Sequence, residues 1–362
     1  MKTHLIFIGN KFAYNKTLKE YVMRKIEEKV EFVDSIVYFK ESDNSLFLYL
    51  EEELNSSDRI IIVATKQNFP TVGKLICTST SDNQVLKDGM LIPQKSTTFE
   101  PRSYLLEHKD CVVNALQMDE GEKMPTVLMS GGALSATAHV FEEDKETLIA
   151  ILNPIAQTYE VNIYVTQEVD GWLRVDATSN KYGNISKFMD SAKQLLPKNL
   201  IVSANIVAHI IEKLAIARKK ITFAESCTGG LLSYCFTQNN GASNVLDGSL
   251  ITYSNSLKEN WLAVSKDVLE ENGAVSAEVV GEMSDGALNV SAADYALSIS
   301  GIAGEAGGTE LKPVGTVYIG ARSKTTNKEE RLFFQGDRNY IQSQSALYAI
   351  KMLLLVDKDT FF

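Results

Sequence analysis

Apolar and polar positions fall in blocks along this chain. The run THLIFI, residues 3–8, is compactly apolar and stops at Gly9. Leu18, Tyr21, Val22 and Ile26 then recur at helical spacing. A strand over 35–39, a helix over 46–54 and a strand over 59–64 follow. Strands alternating with helices at this interval predict a parallel α/β sheet. From 65 to 110 the pattern weakens, with loop-like stretches such as STSDNQ and PQKSTTFEP. Short strands are predicted at 111–118, 126–129, 162–167 and 172–176, with helices at 145–156 and 185–195 between them. Those elements predict a small α+β domain, and LLPKN at 195–199 reads as a linker after it.

Beyond residue 200 the periodicity sharpens. Ile206, Val207, Ile210, Ile211 and Leu214 mark one face of an amphipathic helix. A strand at 221–224 leads into a helix from Thr228 through Tyr234. A strand at 249–253 precedes a helix through Lys258 and Leu262. A helix at 279–288, a strand at 295–300, a strand pair at 314–321 and 330–335, and a closing helix at 341–355 complete the chain. The middle strands alone read as parallel and buried, so the predicted sheet is mixed.

With 362 residues the chain has room for two or three domains. We expect an α/β fold in three parts: an α/β domain at 1–110, a small α+β domain at 111–197 and an α/β domain with a mixed sheet at 200–358. Apolar residues at 44% and charged residues at 23% are ordinary for a globular protein. A net charge of −10 speaks against a nucleic-acid partner, and no apolar run has the roughly 18 residues a membrane span needs. Cys77, Cys111, Cys227 and Cys235 form no CxxC pair, and the N-terminus does not resemble a signal peptide, so reduced thiols in the cytoplasm are expected.

Four stretches carry candidate chemistry. In AESCTGGLLSYC, Glu225, Ser226, Thr228, Gly229 and Gly230 stand at a strand-to-helix turn. Small residues let a ligand approach the backbone, and the free N–H groups of a helix start favour an anion. Ser226 is equally well read there as a nucleophile or as a helix cap. In ITYSNSLKEN, Tyr253 ends a strand and Lys258 sits early in a helix, where its charge opposes the dipole. In SISGIAGEAGGTELKPVGTVYIG, residues Ser300, Gly301, Gly304, Gly307, Gly308 and Thr309 form a loop able to wrap a phosphate or an oxyanion. In GDRNYIQS, Arg338 precedes the last helix and suits a phosphate, or an ion pair with Asp337.

Taken in order, AESCTGG, ITYSNSLK, SGIAG with GGT and KPVGTV, and GDR resemble the C-terminal domain of the CinA (competence/damage-inducible) family, over about residues 200–355. That domain is similar to nicotinamide mononucleotide deamidases. The resemblance implies Ser226 as nucleophile, Lys258 as its base and Tyr253 as a polarising group. It implies a nucleotide pocket lined by Glu225, Thr228, Gly229, Gly230 and residues 300–309, with Arg338 on the phosphate. It also implies a homodimer that recycles a small pyridine nucleotide and needs no cofactor or metal. The residues fit that chemistry: no histidine follows His209, so a Ser–Lys pair takes the place of a Ser–His pair. The lysine's ordinary pKa of about 10.4 must then fall well toward neutrality.

The chain departs from the family in several places. Glu305 stands where the family usually has proline, and Gln342 where it tends to have arginine. The N-terminal part resembles a molybdopterin-binding-like domain in degenerate form. Gly9-Asn10-Lys11 replaces an acidic motif, and ATKQNFPTVGK at 64–74 replaces a loop with two aspartates. An ADP-ribose pyrophosphatase activity is therefore not expected there. The other reading of the whole is a nucleotide-binding or regulatory module without turnover.

Overall fold

The computed structural model describes residues 2–30, 33–129, 134–179, 182–304 and 307–362. The chain divides into two compact units, Met1–Ser135 with Ser179–Tyr182, and Ala136–Thr178 with Gly183–Phe362. Both are α/β.

The first unit is built on β1 (Thr3–Ile8), β2 (Ser35–Phe39), β3 (Arg59–Ala64), β6 (Thr98–Glu100), β7 (Ser103–His108) and β8 (Cys111–Gln117), with β4 (Gln84–Lys87) and β5 (Met90–Pro93) as a separate hairpin. The sheet order is β2-β1-β3-β8-β7-β6; the first four strands run parallel and the last two antiparallel. Ile6, Ile8, Ile60 and Ile62 face the helices Leu46–Ser56 and Phe69–Thr80. Leu5, Phe7, Ile61 and Val63 face the helix Lys16–Val30. Helices cover both faces, which is why these strands are apolar throughout rather than alternating.

The predicted boundary at 110/111 falls inside this sheet. Cys111–Gln117 pairs with both β3 and β7 and cannot begin a new domain. The strand expected at 126–129 does not form. Its Leu128 and Met129 N–H groups donate to the buried Asn114 side chain, at 2.8 and 3.2 Å, instead of to a neighbouring strand. At the carboxyl ends of β1, β3 and β8, Lys11 Nζ donates to Asp119 at 3.0 Å and the Lys66 N–H donates to the same carboxylate at 2.7 Å. In place of an acidic pair, a lysine and a main-chain N–H thus meet this carboxylate, and no group of three or more acids, histidines or cysteines that could hold a metal occurs among the described residues.

The second unit holds two sheets. β9 (Leu134–Phe141), β10 (Val161–Val169), β11 (Trp172–Ser179) and β12 (Leu200–Val202) form one, in the order β10-β11-β9-β12. β13 (Ile221–Glu225), β14 (Leu246–Ile251), β15 (Tyr295–Gly301), β16 (Thr316–Ser323) and β17 (Asn327–Phe333) form the other, in the order β14-β13-β15-β16-β17. The three strands β14, β13 and β15 are parallel, and β16 and β17 run antiparallel, so the sheet is mixed. The helices Ala277–Val290 and Arg338–Val356 pack against this sheet.

The α+β part is not an independent domain. Phe141, Val169, Trp172 and Ile201 belong to the same hydrophobic core as Ile221, Phe223, Leu297 and Leu353. The expected linker at 195–199 is a turn within the unit. Its Asn199 carbonyl accepts from Phe141 N–H at 2.8 Å, and β12, immediately after it, pairs with β9.

Candidate active site

β13 ends on Glu225, and Ser226 begins the turn beyond it. The Ser226 N–H donates to the Ile299 carbonyl on β15 at 2.9 Å, which fixes the serine at the carboxyl edge of the parallel strands. There the ligand crevice of an open α/β sheet is found. Gly229 and Gly230 both have positive φ, 61° and 103°, so the turn needs glycine at these positions.

Lys258 lies in the helix Asn255–Leu262, capped by the Ser254 side chain accepting from Leu257 N–H at 3.3 Å. Its side chain is 1% exposed. The Nζ atom donates to Ser226 Oγ at 3.1 Å and to the Thr252 carbonyl at 2.8 Å. Burial lowers the lysine pKa. A Cys227 thiolate would oppose that shift, but burial pushes this thiol up to about 12 and keeps it neutral. A neutral amine at this position can donate to Thr252 and turn its lone pair toward the serine hydroxyl. Thr252 was not singled out in the sequence; its place just before Tyr253 at the strand end was the available signal.

Several residues expected at the nucleotide have polar groups already bonded within the chain. Glu225 is fully buried, and its carboxylate accepts from Thr228 Oγ1 at 2.8 Å, Gly230 N at 3.0 Å, Leu232 N at 3.0 Å, Ser233 N at 2.9 Å and Ser249 Oγ at 3.2 Å. The chain thus supplies its own anion to the start of the helix Leu231–Thr237, and neither Glu225 nor the Thr228 hydroxyl proton is free for a ligand. Ser300 is 1% exposed and its hydroxyl donates to the Ala274 carbonyl at 2.6 Å. Thr309 closes a turn with Lys312, its N–H donating to the Lys312 carbonyl at 2.9 Å. Tyr253 is 63% exposed and makes no hydrogen bond to Ser226 or Lys258.

The glycine-rich loop does approach the serine turn. A Cβ on Gly301 would come within 3.1 Å of Cys227 Sγ. A Cβ on Gly304 would overlap the guanidinium of Arg338, so that arginine lies directly against the loop. Gly307 has a φ of 118°, and a Cβ on Gly308 would crowd Val314 N at 2.8 Å. Glu305 lies outside the described residues. Gln342, standing where arginine is usual, makes a bond of its own: its Nε2 donates to the Cys227 carbonyl at 2.7 Å.

The comparisons with known proteins agree with the motifs. The family model for the CinA C-terminal domain matches residues 203–356. A CinA-like protein of Pseudothermotoga lettingae is 36% identical over 184 residues, 50% of this chain and 45% of that protein. A putative competence-damage inducible protein of Caldicellulosiruptor saccharolyticus is 46% identical over 144 residues, 40% of this chain and 35% of that protein. The matches thus span less than half the length of these curated relatives. The crystal structure of the competence/damage inducible protein CihA from Agrobacterium tumefaciens is 32% identical, covering 42% of this chain and 93% of that one, with a TM-score of 0.41. No helix among the described residues is long and apolar enough to cross a membrane. By that match, residues 203–356 form a CinA C-terminal domain.

Proposed function

We propose that the C-terminal part of this protein hydrolyses the carboxamide of nicotinamide mononucleotide to nicotinate mononucleotide and ammonia. The observation that carries this is the buried Lys258 amine at 3.1 Å from Ser226 Oγ. No histidine competes for the role: His209, the last in the sequence, has its Nε2 at 2.8 Å from the Phe361 carbonyl.

In this reading neutral Lys258 takes the Ser226 proton as Oγ attacks the carboxamide carbon. The resulting ammonium returns the proton to the leaving nitrogen, and ammonia departs as the C–N bond breaks. Water, deprotonated by the same amine, then attacks the acyl carbon; the bond to Ser226 Oγ breaks, Oγ takes the proton back from Lys258, and the carboxylate leaves. Arg338 against Gly304 supplies a guanidinium for the nucleotide phosphate. In this reading the exposed Tyr253 ring packs on the bound base.

Ammonia release from a panel of nucleotides, each with and without a carboxamide, tests this. Ser226→Ala and Lys258→Ala should each lower kcat by roughly 10⁴-fold while circular dichroism stays unchanged. Near-full activity in either variant would remove that residue from its role. Tight binding of the nucleotide with no ammonia released would favour the module without turnover.

A further inference from the structure

The Gly229 N–H donates to the Ser226 carbonyl at 3.1 Å and closes a four-residue turn. Its central peptide joins Cys227 to Thr228, and the orientation of that peptide distinguishes type I from type II turns. Thr228 is not among the residues with positive φ, so the turn is not of type II. No described peptide bond is cis. The carbonyl and N–H of this peptide therefore point in opposite directions.

Gln342, in the helix Arg338–Val356, holds the carbonyl end of that plane by donating to Cys227 O at 2.7 Å. The Thr228 N–H must then face away from this helix. Among the described residues it donates to no acceptor, whereas Gly230, Leu232 and Ser233 in the same segment all give their N–H groups to Glu225. An uncommitted main-chain donor two residues beyond a nucleophile can serve the negative oxygen of a tetrahedral intermediate.

We propose that Gln342 is a positioning residue. It fixes the Cys227–Thr228 peptide so that the Thr228 N–H stabilises the oxyanion formed when Ser226 attacks. This deepens the amidase reading above and rests on it. The neutral amide here also assigns the position a different task from phosphate binding, which falls to Arg338.

The experiment compares the full-length protein with its Gln342→Leu and Gln342→Arg variants in two assays. The first is ammonia release from nicotinamide mononucleotide. Gln342→Leu should lose about tenfold or more in kcat, with KM nearly unchanged, because only the transition state uses the donor. Gln342→Arg keeps a donor and should recover most of the loss. The second assay needs no natural substrate: labelling of Ser226 by a phosphonofluoridate, followed by mass spectrometry. There the Ser226 O–P bond forms, fluoride leaves and the hydroxyl proton passes to Lys258. Gln342→Leu should label about tenfold more slowly or worse, at an unchanged thermal midpoint, since the same N–H meets the phosphoryl oxygen. Wild-type rates in Gln342→Leu, or a loss that tracks a lowered midpoint and is not rescued by arginine, overturn the positioning role. Failure of the wild type to label at Ser226 overturns the nucleophile itself, and the positioning role falls with it. Normal labelling with no ammonia from any carboxamide refutes the substrate and leaves the labelling comparison to decide on Gln342.

Discussion

An amine sealed away from water is costly to fold in its charged form, and Lys258 is 1% exposed with a lowered pKa. Between that lowered value and the unfolded one near ~10.4, the unfolded chain binds a proton that the native chain does not. Stability from this group therefore rises as pH increases through that interval, and the burden is heaviest on the low side. Lys258→Met removes it. We expect this variant to be inactive yet about 1 kcal/mol more stable at pH 7, a gain partly offset by the abandoned Thr252 carbonyl. Urea unfolding at pH 7 and pH 9 measures the effect. The advantage should shrink at the higher pH; a variant less stable at both, by the same amount, contradicts a depressed lysine.

The helix Leu231–Thr237 is too short to hold itself together, and Glu225 does much of what length would do. Five donors converge on that one carboxylate. Glu225→Gln replaces one acceptor oxygen with an NH₂ facing N–H groups, and should cost about 2–3 kcal/mol in a urea titration. An effect within a few tenths would mean that the donors find water instead. The sequence could not show this. An acid after a strand reads the same whether it faces a ligand or its own backbone, and only the turn's path tells them apart. Gln342 was hidden for a similar reason: a missing arginine is visible in one dimension, whereas a new bond to Cys227 115 positions away is not. By contrast, Ser226 and Lys258 stood out only through the order of four motifs; read alone, the serine served equally as a helix cap and the lysine as a surface charge, and it is the fold that brings them to 3.1 Å. Among the elements, β1, β2 and β3 were found at their observed bounds; β1 and β3 are continuously apolar because helices cover both their faces, whereas the edge strand β2 is half exposed. The helix Phe69–Thr80 was missed: Pro70 in its first turn reads as a break, though proline is tolerated there.

The second unit carries its own acid sensitivity. His139 on β9 is 4% exposed, and its Nδ1 accepts from Trp172 Nε1 at 3.1 Å. Burial, helped by the charge of Arg174, pulls its pKa down to about 4. The native state refuses a proton that the unfolded state takes below its ordinary value near ~6.5, so stability falls as pH drops from there toward 4, by on the order of 3 kcal/mol. His139→Gln keeps an acceptor for Trp172 and should flatten that acid limb in urea titrations at pH 7, 5.5 and 4.5. An unchanged slope would place the acid sensitivity in other groups.

Trp172 has a second significance. With Phe141, Val169 and Ile201 it fills the same interior as β13 and β15, and the Phe141 ring meets Phe362 edge-on at 5.5 Å. The family match, however, starts at residue 203. Severing the chain at that point would cleave a single oily interior into two wet faces, neither of which has a replacement lid. A minimal fragment worth expressing should start before β9, and the borders drawn by kinship and by packing part company in this protein.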